Sequence, residues 1–339
     1  MATDFICFGE LLLRLGAPGR ELLLQSPRLD VHVGGAEANV GIALAQFGHA
    51  VELVSVLPEH ALAQAALGEV RRHGVGTGAV LRGEGRLGLY FLATGSGLRP
   101  SEVIYDRAGS AFARTPATAF DWDALLPGAW GLHVSGVTPA LGQASADAAL
   151  AAMTAARRHG LFVSFDGNFR PKLWQAWDGD APGILAALMA QADVLFADHR
   201  DIGTALDWTP PDGSPDERIA AAAERAFAAF PNLGRMACTR RSQRSVDDHA
   251  LAASLHARDG QCHRAEPLEL SPIVDRIGAG DAFAAGVLHG LRRGQDDADA
   301  LRFGLAAAAL KHSVPGDFNR VGIEAVQAVV DGGRLDVRR

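Results

Sequence analysis

From residue 130 onward the sequence alternates short apolar runs with longer alanine-rich segments of helical periodicity, and this pattern constrains the fold more than any other feature. Four apolar runs are typical of buried strands: "WGLHVSGV", "LFVSFD", "DVLFAD" and "RMACT". Between them lie segments such as "ASADAALAAMTAARRHG", whose terminal Gly160 is typical of a helix end. The alternation predicts an α/β fold with a central, mostly parallel sheet flanked by helices on both faces.

Polar residues follow the predicted strands, at the point where each strand ends. In open α/β sheets, ligands bind outside the carboxyl ends of the strands, so these residues are expected to face one crevice. They are Asp166, Asn168 and Arg170 after one strand, Asp198 and Asp201 after the next, Thr239 and Arg240 after the third, and the glycine-rich turn before Asp281.

The early part of the chain shows a different residue pattern. The segments "ELLLQSPRLDVHV" and "GLYFLATGSGLRPSEVIYDRAGS" contain β-prone runs broken by Gly, Pro and Ser. We interpret both as antiparallel strands that project from the main sheet as a small β-sheet lid, formed by parts of 11–33 and 86–112. No linker long enough to separate independent domains is visible, so a single domain is expected over residues 1–339.

Charge and cysteine content exclude several classes of function. The formal net charge of -7 argues against nucleic-acid binding, which draws on clustered Lys and Arg. The three cysteines, Cys7, Cys238 and Cys262, show no disulfide-like or metal-binding spacing, so a reducing compartment, the cytoplasm, is expected. The early run "FICFGELLLRLG" is interrupted by Glu10 and Arg14, so neither a signal-peptide core nor a membrane span is predicted, and no membrane partner is expected.

The segment "PIVDRIGAGDAFAAG" places permissive glycines immediately before an aspartate and a predicted helix. Gly278 and Gly280 let the backbone turn, so that successive amides at the helix start, from Gly278 through Ala279 to Asp281, point outward as an anion cradle. The alternative is an Asp N-cap after a tight turn.

A second glycine-led helix start occurs in "VGGAEANVGIALAQFG", where Gly34 and Gly35 permit close approach of a ligand and Asn39 is not needed in the core. A turn before a helix explains the same glycines. In "DGNFRPKLW", Arg170 is suited to a bidentate grip on a carboxylate or phosphate, with a surface salt bridge as the alternative.

Two nucleotide-binding motifs are not supported. Gly83, Gly85 and Gly88 spell GxGxxG, but they lead into "LYFLAT", which reads as a strand, so we interpret them as a hairpin turn and not as a dinucleotide site. No GxxxxGK[ST] occurs, and the histidines show no paired metal-ligand spacing.

Together these segments resemble the ribokinase-like, or PfkB, carbohydrate kinases over nearly the whole chain. The resemblance is carried, in family order, by "FGELLLRL", "GGAEANV", "YDRAGSA", "DGNFRPKLW", "DRIGAGDAFAAG" and "LKHSVPGDFN". Within the family these motifs look most like the 2-keto-3-deoxygluconate kinases. The resemblance implies a ribokinase-like fold, ATP and Mg²⁺ as cofactors with room for a monovalent cation, a small-molecule sugar acid as substrate, and a homo-oligomer, a dimer through the lid.

The resemblance also implies roles for individual residues. Asp281 is expected to be the catalytic base, with Gly278, Ala279 and Gly280 around it, Arg170 to hold the sugar carboxylate, and Asp317 to bind a hydroxyl. The implied substrate-binding set is Gly34, Gly35, Asn39, Tyr90, Tyr105, Arg107, Arg170, Asp281 and Asp317. The implied nucleotide-binding set is Asn168, Asp198, Thr239, Arg240, Gly278, Gly280 and Leu305, and Asp198 and Asp201 are expected to order Mg²⁺ through water.

The chain departs from the family at two places. The usual NxxE element is replaced by Asp198-His199-Arg200-Asp201, and the usual glycine-bearing nucleotide loop reads "CTRRSQRSVDDHA". The function expected is ATP-dependent phosphorylation of 2-keto-3-deoxygluconate at its 6-position. The alternatives are a kinase of a neutral sugar or of the C4 epimer 2-keto-3-deoxygalactonate, a nicotinamide-dependent oxidoreductase, and a non-catalytic sugar-binding relative.

Overall fold

The computed structural model describes residues 3–333 and shows an α/β architecture, as the alternating pattern predicted. The strands are β1 Phe5–Phe8, β2 Leu12–Gly16, β3 Asp30–Gly34, β4 Val51–Leu57, β5 Val80–Arg82, β6 Gly88–Ala93, β7 Glu102–Asp106, β8 Gly131–Ser135, β9 Phe162–Asp166, β10 Val194–Phe196, β11 Arg235–Ser245, β12 Asp248–Ala257 and β13 Cys262–Leu270. The helices are α1 Ala36–Gln46, α2 Ala61–Arg72, α3 Ala111–Arg114, α4 Trp122–Leu125, α5 Gln143–Arg158, α6 Pro171–Gln175, α7 Ala181–Met189, α8 His199–Leu206, α9 Pro215–Ala229, α10 Ala279–Arg292, α11 Asp297–Lys311 and α12 Ile323–Val330.

The main sheet has nine strands in the order β13-β12-β11-β10-β9-β8-β1-β4-β5. Every neighbouring pair from β5 to β11 is parallel, and only the last two pairs are antiparallel. The parallel strands are buried on both faces, because separate apolar clusters cover them: Phe165 lies in the cluster with α5 and α7, and Phe5 in the cluster with α1, α10 and α11. This confirms the predicted mostly parallel sheet flanked by helices.

A separate small sheet contains four strands in the order β3-β2-β6-β7. The outer pairs are antiparallel, but β2 and β6 are parallel, with Leu13 opposite Leu89 and Leu15 opposite Phe91. The expectation of antiparallel strands throughout was therefore wrong. Between β2 and β6 the chain passes through the main sheet at β4 and β5, so it returns in the same direction. Residues 21–29, read as part of a strand, form turns and bends instead.

Two local interpretations also need correction. The glycines at 83, 85 and 88 connect the edge strand of the main sheet to β6 of the small sheet, so they do not form a hairpin turn, although a strand and not a helix does follow them. The segment "CTRRSQRSVDDHA" is not an open loop: β11 continues through it to Ser245 and pairs with β12 in a long hairpin. Within residues 3–333, no helix combines the length and the apolar character needed to cross a membrane.

Candidate active site

The candidate site lies where α1 and α10 begin, next to the carboxyl ends of the central parallel strands. Helix α1 packs against α10, and Asn39 in the first turn of α1 donates from Nδ2 to Asp281 Oδ2 at 2.7 Å. The two glycine-led helix starts found in the sequence are therefore brought together, although 242 residues separate the bonded side chains.

The glycines before each helix are required by close packing. Gly35 has φ +146°, and a Cβ there would overlap the carbonyl oxygen of Glu10. Gly278 has φ +80°, and a Cβ there would overlap the carbonyl oxygen of Asp317. Both conformations are costly for any residue that carries a side chain, so glycine is needed for geometry at both positions.

The start of α10 has the properties of an anion cradle. The amides of Gly280 and Asp281 lie in the first helical turn, where an α-helix provides no carbonyl partner, and the helix dipole is positive there. A Cβ placed at Gly280 would have no neighbouring atom within 4 Å, so the space in front of this turn is open. This end of α10 therefore fits a phosphoryl group.

Asp281 has a strongly perturbed carboxyl group. Its pKa is raised to about 7: burial is the main cause, the negative charges of Glu37 and Asp317 act in the same direction, and the hydrogen bond from Asn39 opposes the shift. A carboxylate whose pKa lies at about 7 is a better general base than an ordinary aspartate, because a base is most effective when its pKa lies near the working pH.

Two further carboxyls have raised pKa values. Burial and the charges of Asp281 and Asp201 raise the pKa of Asp166, and burial and Asp198 raise the pKa of Asp201 to about 6. None of the three carboxyls forms an ion pair with any side chain among residues 3–333. Such uncompensated negative charge fits a bound cation.

The cation would be held mainly through its own waters. No group of three His, Cys, Asp or Glu side chains in the described part of the chain is arranged to bind a metal directly. Asp198 is engaged elsewhere: its carboxylate accepts from Arg200 N, pairs with the Arg200 guanidinium, and has a lowered pKa as a result. Asp201 Oδ2 accepts from Asp198 N at 2.9 Å, which completes the capping box of α8.

Glu37 was not identified as a site residue from the sequence, although it lies inside the quoted "GGAEANV" motif. Its Oε1 accepts from Ser135 N, Ser135 Oγ and Thr138 Oγ1 at 2.7 to 2.9 Å, while burial raises the pKa of the carboxyl. These bonds fix the start of α1 against the end of β8 and so position Asn39 for its contact with Asp281.

On the side of the site next to the small sheet, Asp317 lies close to residues that were predicted as site residues and to one, Arg14, that was not. Tyr90 donates from its hydroxyl to Asp317 Oδ2 at 2.7 Å, and Arg14 Nε lies 3.2 Å from Asp317 Oδ1. A Cβ at Gly34 would overlap the same carboxylate. Tyr105 lies directly opposite Tyr90 in the sheet. Because Asp317 is 2% exposed, it is engaged by the protein itself before any sugar hydroxyl arrives.

Arg107 is also engaged. Its Nε donates to Glu10 Oε2 at 2.6 Å, and the two side chains are 5% and 1% exposed. Glu10 therefore holds one of the three guanidinium nitrogens of Arg107, which the resemblance assigns to the substrate-binding set. Its two terminal amino groups form no hydrogen bond with another residue of the described range, which leaves them for a ligand.

Arg170 differs from Arg107 in having no carboxylate partner among residues 3–333. It is exposed, precedes α6, and its only hydrogen bond there is from Nη1 to the carbonyl of Phe169. Its positive charge opposes part of the rise in the pKa values of Asp166 and Asp281, so it lies near both carboxyls. It is the strongest candidate in this part of the chain for an anionic group of a substrate.

The residues expected to bind nucleotide lie in several different environments. Asn168 has φ +38°, and its backbone N–H donates to Asp166 Oδ1. Thr239 and Arg240 lie on β11, where Arg240 pairs with Asp216 at 2.9 Å. Leu305 is 2% exposed within the apolar cluster around α11, so it contributes to the core.

Comparison with known proteins agrees with this geometry. Residues 2–320 match the family described as pfkB family carbohydrate kinase. The chain belongs to that family. It is therefore an ATP-dependent carbohydrate kinase with a ribokinase-like fold, and the oxidoreductase alternative is wrong.

Individual relatives cover nearly the whole chain. It is 32% identical over 341 residues to a 2-dehydro-3-deoxygalactonokinase of Haloferax volcanii, with 100% of both chains covered. It is 28% identical to a 2-dehydro-3-deoxygluconokinase of Bacillus subtilis, covering 94% of this chain and 92% of the relative. The crystal structure of a 2-dehydro-3-deoxygluconokinase from Thermotoga maritima has a TM-score of 0.92 and 36% identity, covering 97% of this kinase and 100% of that chain.

Proposed function

We propose that this kinase transfers the terminal phosphoryl group of ATP to the 6-hydroxyl of a 2-keto-3-deoxy sugar acid, 2-keto-3-deoxygluconate first. The observation that carries the proposal is Arg170, an arginine on the crevice without a carboxylate partner in residues 3–333. A neutral sugar would leave this charge uncompensated, whereas a sugar carboxylate would accept its bidentate grip. The names of the relatives supply the chemical class, since both kinds act on 2-dehydro-3-deoxy sugar acids.

Each group in the site has a separate role in phosphoryl transfer. ATP with Mg²⁺ supplies an activated phosphoryl group and neutralises its charge. The amides of Gly280 and Asp281 would stabilise the charge that develops on that group. Asp281, held by Asn39, would accept the proton of the attacking hydroxyl. Asp201 would hold the cation through water, with Asp166 nearby as a second acidic group.

The C4 epimer, 2-keto-3-deoxygalactonate, is the second candidate. The full-length relative from Haloferax volcanii, 32% identical, is named for that epimer, so the comparison supports both sugars. A coupled ADP-release assay over both epimers, related sugar acids and neutral sugars separates the candidates. We expect sugar acids to be used far more efficiently than neutral sugars, and preference for a neutral sugar would contradict the proposal.

Arg170→Ala tests the carboxylate contact directly. We expect KM for the sugar acid to rise by roughly tenfold to a hundredfold, because a charge-assisted bond contributes about 1.5 to 3 kcal/mol, with little change for a neutral analogue. Lys172→Ala, which removes an exposed charge two residues away, is the matched control. Equal losses on acidic and neutral substrates would assign Arg170 to the phosphate or to the fold.

We also propose that a second copy of the chain covers the outer face of the small sheet. Val31, Leu15, Phe91 and Ile104 lie directly opposite one another across its four strands, and Val31 and Ile104 are 57% and 46% exposed. Such an apolar row is typical of a protein interface. Sedimentation should show a dimer that Ile104→Lys dissociates; a monomeric wild type would contradict this.

A further inference from the structure

Lys311 is a fully buried cation beside the anion cradle, and the site described above does not include it. The sequence has 32 Lys and Arg residues, of which only Lys172 and Lys311 are lysines. Lys172 is exposed, whereas Lys311 is 0% exposed at the end of α11. A buried ammonium in a chain that otherwise relies on arginine indicates a position that needs a compact charge.

The geometry ties Lys311 to the turn that begins α10. Its Nζ donates to the carbonyl oxygen of Val314 at 2.9 Å, which fixes the end of the side chain. Its Cε lies 3.4 Å from the position that a Cβ on Gly278 would occupy. The end of the lysine side chain therefore packs directly behind the N-cap residue of the cradle.

The charges around Lys311 form a balanced set. Arg14 pairs with Asp275 at 2.7 Å and with Asp317 at 3.2 Å, so one guanidinium faces two carboxylates. The same two carboxylates attract Lys311, as does Asp281. Without the ammonium, Arg14, Asp275 and Asp317 would carry a net negative charge behind the cradle, where a phosphoryl group must bring more.

We propose that Lys311 is a positioning residue for phosphoryl transfer: its ammonium is a fixed internal cation that, together with Arg14, neutralises the Asp275–Asp317 pair and keeps the cradle attractive to the terminal phosphate. It acts through the α10 turn and does not touch the sugar. The inference rests on family membership and on the phosphate role proposed for this turn, but not on the identity of the sugar.

The protonation of Lys311 agrees with this role. Burial lowers its pKa to about 8 and Arg14 acts in the same direction, while Asp275, Asp317 and Asp281 oppose the shift. The ammonium form therefore predominates below about pH 8, and its charge is lost above it.

The test compares Lys311→Met with Lys172→Met as the matched control. Methionine has a similar length without the charge, so packing is largely kept. The assay uses whichever sugar the wild type phosphorylates best. We expect kcat to fall at least about tenfold in Lys311→Met, which is a smaller fall than removal of a donor bonded directly to the transition state causes. KM for the sugar should be nearly unchanged. Lys172→Met should retain the wild-type kcat.

Nucleotide binding supplies a readout that needs no sugar. Equilibrium titration should show weaker binding of MgATP to Lys311→Met, and a smaller change for MgADP, which lacks the terminal phosphate. A wrong sugar assignment would leave this result intact, whereas equal weakening of both nucleotides would overturn the role of Lys311 toward the terminal phosphate.

Rescue by a small cation separates charge from packing. Lys311→Ala leaves space for an ion, so ammonium or methylammonium should restore part of its kcat, and the bulkier tetramethylammonium should not. The proposal is overturned if Lys311→Met keeps its kcat within about twofold. It is also overturned if folded Lys311→Ala does not respond to ammonium, or if neither variant folds, because Lys311 would then serve the fold alone.

Discussion

Replacing Asp281 by asparagine should remove most of the kinase activity and at the same time stabilise the protein. An asparagine side chain has the same shape, and its Oδ1 can still accept the hydrogen bond that Asn39 Nδ2 donates to Asp281 Oδ2 at 2.7 Å. What the substitution removes is a carboxyl group whose pKa burial has raised to about 7. Turnover should fall at least about a hundredfold, the usual contribution of a positioned base.

The size of the stabilisation follows from the pKa. A carboxyl with a pKa of about 7 in the folded chain and 3.8 when unfolded destabilises the ionised folded state by about 4 kcal/mol. Asp281 retains some contact with water, which reduces the expected effect to on the order of 2 kcal/mol. Because the folded state binds the proton more tightly, this cost is absent below about pH 4, grows as the pH rises, and is complete above about pH 7.

Urea unfolding followed by tryptophan fluorescence measures this directly. The difference in unfolding free energy between Asp281→Asn and the wild type should be small at or below about pH 4 and largest near about pH 8. Asp212→Asn, in an exposed turn before α9, is the matched control and should show no such dependence. A pH-independent difference would refute the raised pKa, and near-normal turnover of the folded variant would remove Asp281 from the role of base.

Three further predictions concern the surrounding charges. The profile of kcat/KM against pH should rise near about pH 7, where Asp281 becomes a base, and fall above about pH 8, where Lys311 loses its charge; Lys311→Met should remove the alkaline fall, and an unchanged fall would contradict its assignment. Asp201→Asn should raise the Mg²⁺ concentration needed for half-maximal rate more than Asp198→Asn does, because Arg200 already neutralises Asp198; a Mg²⁺ titration at saturating ATP and sugar with the opposite order would assign the cation to Asp198. Arg107→Met should lower the unfolding free energy by about 3 kcal/mol because it leaves Glu10 buried without a partner, whereas Arg170→Ala should change it by less than about 0.5 kcal/mol; equal stabilities in urea would show that the Glu10–Arg107 pair is not formed in solution.

The parts of this kinase that could be predicted from its sequence are those set by local patterns. Helices α1 and α10 follow glycines whose backbone geometry is needed for close packing, so both helix starts could be located from the sequence, whereas the hydrogen bond between Asn39 and Asp281 is known only from the structure. The parallel strands could be located from the sequence because strands that are buried on both faces are continuous apolar runs.

What the sequence did not reveal are properties of pairs that are distant along the chain. Glu10 and Arg107 are 97 residues apart, and Arg14 and Asp275 are 261 apart, so no local pattern marks them as partners. The resemblance predicts a nucleotide loop after Cys238, and β11 is polar and mostly exposed from Arg241 to Arg244, so no apolar run there predicts a strand. Antiparallel strands near a sheet edge can face water, so polarity there does not indicate a loop.

The distribution of charge in the crevice bears on why a divalent cation must accompany the nucleotide. Asp166 at the end of β9, Asp201 on α8 and Asp281 on α10, with the buried Glu37 of α1, form an acidic side of the site. None of the four has an ion pair among residues 3–333, and each has a raised pKa. Some nearby basic groups are already balanced: Arg107 by Glu10, and Arg14 with Lys311 by Asp275 and Asp317. Arg170, Arg241 and Arg276 have no ion pair among residues 3–333, and the sugar acid is expected to occupy Arg170. A polyphosphate that enters without a cation would therefore be repelled by the carboxylates on the acidic side. Nucleotide free of Mg²⁺ should bind poorly for this reason. Its binding to Asp201→Asn should be tighter than its binding to the wild type, because one source of repulsion is removed.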